Sequence, residues 1–166
     1  MSAEQVTTAN DIQLPLPVGL EATVLHGELS TFLIYASYYA TNDSSLKYVF
    51  IECTGMGLLR FGYPNDEGLG EHRLYHKGLA SVHGFGEVHN SELLEEYESM
   101  RKRSFQRIWR GRDVPEVKYS RSSKRHFIIS LKENVFEVLC EDLRLVAVFP
   151  DQSSALQEAI RKLHSS

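Results

Sequence analysis

Four of the chain's seven histidines, His72, His76, His83 and His89, crowd into residues 62–89, together with Asp66, Glu67, Glu71, Glu87 and six of the eleven glycines. An imidazole titrates near neutral pH and a neighbouring carboxylate can orient it. His72 or His76 with Asp66 or Glu67 is therefore the candidate set for acid–base catalysis, as in a hydrolase or a lyase. His72 and His76 are four residues apart and would share one face of a helix, as two metal ligands must. Arg73, Leu74 and Tyr75 stand between them. No acid fills the general-base position of HExxH, and an arginine there repels a cation, so no metal site is expected. The glycines form neither GxGxxG nor GxxxxGK[ST], and GxSxG is absent, so no nucleotide cofactor and no nucleophile elbow are expected.

A second constellation lies in residues 101–125, which carry ten Lys and Arg against Asp113 and Glu116, a local charge of +8. Phe105, Trp109 and Tyr119 are interleaved. Cations mixed with aromatic rings suit an acidic protein, a small anionic ligand or single-stranded nucleic acid. The acidic balance of the whole chain disfavours the last of these. Arg101, Arg103, Arg107, Trp109, Arg110 and Arg112 are the binding candidates in this segment, because Arg and Trp dominate interface energetics. A third possibility is an aromatic-lined pocket drawn from Tyr35, Tyr38, Tyr39, Tyr48, Phe50, Phe61 and Tyr63. Aromatic residues in strands are more often plain core.

These groups need elements to hold them. Residues 1–17 are polar and aperiodic and end on Pro15 and Pro17, which predicts a mobile tail before a single domain over 18–166. Strands are expected at 22–29, 31–40, 47–53, 58–63, 82–89, 126–131, 135–140 and 143–149, from their β-branched and aromatic content. Thr54-Gly55-Met56-Gly57 predicts a hairpin between the third and fourth. The short links among the last three predict antiparallel neighbours. Residues 64–81 read as a long structured loop. Asn90 or Ser91 caps a helix over 91–110, with Leu93, Leu94, Tyr97, Met100, Phe105 and Ile108 at helical spacing. Asp151 caps a second helix over 151–164, striped by Leu156, Ala159, Ile160 and Leu163. The expected fold is α+β: a mainly antiparallel sheet of about seven or eight strands with two helices.

Length, 166 residues, and a mass of 18.9 kDa suffice for a core without staples. The two cysteines, Cys53 and Cys140, form no CxxC pair and end apolar runs, which predicts buried thiols. No Lys or Arg precedes Lys47, and the longest nearly apolar run is 32–40, so a soluble cytoplasmic protein without a membrane span is expected. The net charge of −4 is a difference of large terms: residues 66–98 hold eight acids against Arg73 and Lys77, a local −6 beside the +8. Whether the two segments pair within one chain or meet partners, including copies of the chain, is the question this partition poses.

FGYPNDEGLGEHRLYHKGL, GFGEVHNS and RHFIISLKENVFEVLC resemble an uncharacterised family of small bacterial proteins, over roughly residues 58–140. The resemblance implies a hallmark loop of Tyr63, Pro64, Asn65, Asp66 and Glu67 followed by His72 and Tyr75, with no activity attached. Gly68, Glu71 and Arg73 stand where it leads one to expect neutral residues. The leading expectation is a binding module for an acidic protein or small anionic ligand, without catalysis of its own. Its surface would combine Tyr63, Asn65 and Tyr75 of the loop with the basic segment. A hydrolase or lyase using the loop histidines with carboxylates, and nucleic-acid binding through 101–125, are the alternatives.

Overall fold

The computed structural model describes residues 3–28, 30–38, 45–65, 67–82, 84–110 and 119–165. Among them are nine strands, β1 (Gln5–Thr8), β2 (Pro17–His26), β3 (Ser30–Ser37), β4 (Lys47–Thr54), β5 (Leu58–Gly62), β6 (Phe85–His89), β7 (Arg125–Ser130), β8 (Val135–Cys140) and β9 (Asp142–Phe149). The helices are α1 (Glu92–Trp109) and α2 (Gln152–Leu163). All pairings are antiparallel, in two sheets ordered β1-β6-β7-β8-β5 and β2-β3-β4-β9. The α+β class and both helices agree with the sequence pattern.

The main core lies between the sheets. Alternation sends Phe127 and Ile129 of β7 and Phe136, Val138 and Cys140 of β8 inward, against Leu33, Tyr35, Val49, Ile51 and Cys53 of β3 and β4. Both cysteines are free and buried there. β3 is buried along its whole length because its other face, Phe32 and Ile34, meets Ala155 and Ala159 of α2. The small alanines let the helix approach closely, and the Asp151 side chain caps it by accepting from the Ser154 N–H at 2.8 Å.

Two expected neighbour relations are not formed. β4 and β5 do not make a hairpin, and β9 does not pair with β8; each short link instead turns a corner from one sheet to the other. β4 pairs with β9 from Tyr48 to Thr54, and β5 continues the same line by pairing with β8 from Leu58 to Gly62. Two long bent strands thus run side by side through both sheets. The corner is held where the Gly57 N–H donates to the Leu139 carbonyl (2.7 Å) and the Glu141 N–H to the Thr54 carbonyl (3.0 Å). Gly55, at φ +57°, supplies the backbone bend. A turn-rich tetrapeptide is compatible with either outcome, and tertiary pairing decides between them.

Residues 3–17, expected as part of a mobile tail, carry β1, which pairs with β6 at the edge of the first sheet. Farther along, the Tyr35 hydroxyl donates to the Pro15 carbonyl and Ser37 to that of Leu16, both at 2.7 Å. The 64–81 loop contains three single-turn 3-10 helices, Leu69–Glu71, Tyr75–Lys77 and Leu79–Ser81. They cover the outer face of the first sheet, where Leu74, Leu79 and Val82 pack on Val6, Val88, Ile128 and Val135.

Gly78 joins this covering segment to β1. Its φ is +115°, and a Cβ placed there would lie 2.3 Å from the Val6 carbonyl oxygen. Gly78→Ala should therefore destabilise the protein by about 2 kcal/mol or more in urea unfolding. Gly70→Ala, with no atom within 4 Å of its Cβ position, should change stability far less. Equal effects would show that the close approach of β1 does not constrain the fold.

Candidate functional site

The outer face of the first sheet carries a buried ionic network. Glu137 on β8 and His126 on β7 point outward under the 3-10 segment, and both are buried, as is Glu4 just before β1. Leaving a carboxylate unpaired in such a place costs several kcal/mol. Arg73 answers both acids at once. Its Nη1 donates to both oxygens of Glu4 (3.0 and 3.1 Å), and its Nη2 donates to Glu137 Oε1. Glu4 also accepts from Lys77 Nζ at 2.8 Å and from the Glu92 N–H at 3.0 Å. One carboxylate thus ties β1, the 3-10 segment and the first turn of α1 together.

His126 lies between Ser91 and Glu137. Its Nδ1 is 2.6 Å from Ser91 Oγ, and its Nε2 is 3.0 Å from Glu137 Oε1 without the alignment of a hydrogen bond. Serine, histidine and carboxylate in contact suggest a nucleophilic relay. However, Ser91 and His126 are both buried, and Ser91 Oγ caps α1 by accepting from the Leu94 N–H at 3.0 Å. The set works as a structural cap. Burial pushes the Glu137 carboxyl up, but His126 and Arg73 outweigh it and hold it down at about 2. For Glu4, burial likewise opposes, and Lys77, the Glu92 N–H and Arg73 lower it.

Above the network a concave cleft of about 440 Å³ opens between β5, β8 and the loop. Arg60, Phe61, Tyr63, His72, Arg73 and Glu137 line it. Glu71 also reaches it, so its two arginines are balanced by two carboxylates. Burial, the leading effect, lowers the His72 imidazole below its usual range, and its Nδ1 accepts from the Leu74 N–H at 3.2 Å.

The other exposed surface is the far half of α1. Only Leu93 and Glu98 of this helix are buried, and Met100 and Ile108 are 40% and 57% exposed. Glu98 anchors the chain returning after the helix, accepting from Tyr119 and from both the N–H and hydroxyl of Ser122, as well as from Arg101. Burial opposes and these donors hold its carboxyl at about 2. Between the helix and this return lies a groove of about 600 Å³ lined by Tyr97, Met100, Phe105, Ile108 and Tyr119. Around the helix from it, Arg103, Arg107 and Arg110 frame a second concavity of about 460 Å³ with Gln106.

The acidic and basic segments pair only in part. Arg101 meets Glu98, Arg121 meets Glu95 and Arg125 meets Glu87 and Asp11. Lys124 meets Glu141. Lys102, Arg103, Arg107 and Arg110 have no ion-pair partner among the described residues. Arg112 lies outside them, as do Asp66, His83 and Tyr39. Trp109 is half-buried and tilted against Phe105 at 6.1 Å.

The loop candidates separate. Tyr63 lines the cleft, whereas Asn65 holds the turn by accepting from the Gly68 N–H at 3.0 Å. Tyr75 stands edge-on to His76, which is exposed. Glu67 is exposed, and the carboxylates that share the cleft with His72 are Glu71 and Glu137. No group of three His, Cys, Asp or Glu that could hold a metal occurs among the described residues. Of the aromatic set, Tyr35 and Phe50 are core, Tyr48 packs with α2, Tyr38 is exposed and Phe61 lines the cleft. Glu4 and Arg60 lie outside the sequence motifs, and Arg73, His126 and Glu137 lie within them without having been candidates for the site. Glu137 alone left a trace, as a charge inside an apolar strand run.

The 62–78 loop and the basic arm do not form one surface. The cleft adjoins the first turns of α1, where Arg60 and Arg73 approach Glu92 and Glu96. Arg103 to Arg110 lie at the other end, about 20 Å along the helix axis. Among the described residues no helix is long and apolar enough to cross a membrane. Comparison with protein-family models, curated proteins and solved structures finds no match.

The network fixes an acid response. A carboxyl depressed in the folded state from about 4.5 to about 2, as at Glu137, contributes stability that is complete above the unfolded value and lost as pH falls through the folded one. Glu137→Gln should cost on the order of 3 kcal/mol at neutral pH, because it removes one of the two charges that Arg73 pairs with in the buried network. The variant should then lose less than the parent between about pH 4.5 and 2 in chemical denaturation. Stability curves that stay parallel over that window would contradict the charged state assigned to Glu137.

Proposed function

We propose that the chain is a soluble, cytoplasmic docking module, without catalysis of its own, whose far half of α1 receives an acidic amphipathic segment of another protein. The observation that carries this reading is the run Arg101 to Arg110, with five cations and no acid, on a helix that also exposes Met100 and Ile108. Helix-dipole stabilisation accounts for cations in the last turn only. Arg107 lies there, but Lys102 and Arg103 lie farther back and gain little from it. A partner helix with an apolar stripe fits the groove beside Met100 and Ile108, and its acids reach Arg103, Arg107 and Arg110. A phosphodiester backbone has use for the arginines but none for the apolar groove, and the acidic first half of α1 repels it.

The test uses a synthetic amphipathic helical peptide with Glu on one face and Leu on the other. Calorimetry should give micromolar binding, weakened about tenfold or more by Arg103→Glu with Arg107→Glu. Met100→Ser with Ile108→Ser should weaken it as well, with circular dichroism unchanged in both variants. Indifference to charge reversal would sink the proposal. So would tighter binding of a single-stranded DNA oligomer with a steep salt slope, or burial of this face in a dimer seen by sedimentation and abolished by the same substitutions.

A further inference from the structure

The cleft over Glu137 lies at the opposite end of α1 from the basic arm, and its chemistry is independent of the docking reading. Its polar groups are paired in an unequal way. Glu137 Oε1 accepts from Arg73 and has His126 Nε2 at 3.0 Å, whereas among the described residues the ion-pair contact of Oε2 is Arg60 Nη1 at 3.7 Å, beyond hydrogen-bond distance. Arg60 itself is 51% exposed and makes no closer ion pair among the described residues. An acceptor and a donor, both with unused capacity, therefore face the cleft side by side.

Charge narrows what can bridge them. Arg60 and Arg73 are balanced by Glu71 and Glu137, so a multiply charged anion or cation meets as much repulsion as attraction. A hydroxyl group suits both sides at once: it donates to a carboxylate oxygen while accepting from a guanidinium. Chains of such bonds reinforce one another.

One flanking ring adds a second requirement. Tyr63 is 76% exposed at the cleft, and its ring is seated over Gly68, where an added Cβ would lie 2.7 Å from its hydroxyl oxygen; the Phe61 ring turns to the other face of the sheet, against Phe136. An exposed, positioned aromatic face beside a planar donor–acceptor pair matches a ring with C–H groups on one face and hydroxyls at its edge. The volume, about 440 Å³, leaves room for a mono- or disaccharide.

We propose that the cleft formed by Arg60, Tyr63 and Glu137 is a binding site for a neutral saccharide. One hydroxyl bridges Glu137 Oε2 and Arg60, and the sugar ring packs on Tyr63. Arg73 acts beneath the site as a positioning residue, donating to Oε1, which also lies against His126, so that Oε2 stays directed outward.

The test is a ¹H–¹⁵N titration of the full chain. The sugar probes are the methyl glycosides of glucose, galactose and mannose, with maltose, cellobiose and lactose. Citrate, inorganic phosphate and glutamine serve as charged and zwitterionic arms. At least one sugar should give saturable shifts at Gly62, His72 and Val135 with a Kd on the order of 1 mM or tighter. Arg60→Met and Tyr63→Ala, both at exposed side chains, should weaken binding about tenfold or more, and Tyr63→Phe should retain it. The proposal is overturned if no sugar gives saturable shifts, if only citrate, phosphate or glutamine does, or if Arg60→Met leaves sugar affinity unchanged.

Discussion

Two buried carboxylates, Glu4 and Glu137, share one guanidinium. Arg73 reaches both, and through them four pieces of chain that are distant in sequence: the segment before β1, the 3-10 turns, the first turn of α1 and the middle of β8. Each acid would be prohibitive alone in this position. Together with Lys77, and with His126 in contact, they form an ion-paired network that defines where the covering segment lies on the sheet. The apolar contacts of Leu74 and Leu79 beneath it supply area, while the ionic contacts supply register. The cleft inherits its geometry from this clamp, because Glu137 is held from one side and left open on the other.

The charge partition acquires a physical meaning. Much of the acidic stretch 66–98 is consumed within the fold, at Lys77, Arg101, Arg121 and Arg125. Among the described residues, the basic stretch is consumed at its two ends and left unpaired over Lys102, Arg103, Arg107 and Arg110. The same helix therefore begins as scaffold and ends as surface. Glu98 marks the changeover, since it is the last buried residue of α1 and the point at which the returning chain is fastened.

The sequence pattern located elements well where periodicity and caps were local. Ser91 and Asp151 each cap the expected helix, and β7, β8 and α2 follow their alternation or stripe. Three features were not local. The corner at Gly55–Gly57 and Glu141 is decided by pairing between β4, β5, β8 and β9, which no tetrapeptide encodes. β1 reads as a polar tail because an edge strand of four residues buries Val6 but few other side chains. The apolar spacing of α1 marks one face of the helix, yet Met100 and Ile108 on it are exposed, since spacing reports amphipathicity and not what covers the face. For the sites, Arg103, Arg107, Arg110 and Tyr63 were visible as composition. The Glu4–Arg73–Glu137 clamp was not, because its members are 69 and 64 residues apart and nothing in either neighbourhood announces the other.

The division of α1 into a fastened half and an available half is open to one direct measurement. Hydrogen–deuterium exchange can be followed with and without the acidic amphipathic peptide. Without it, amides of 100–110 should exchange much faster than those of β7, β8 and 92–98. With it, protection should rise over 100–110 and 119–122 and stay constant over 69–82. Protection of 100–110 equal to that of the sheets in the free protein, or a peptide footprint confined to another surface, would contradict the division.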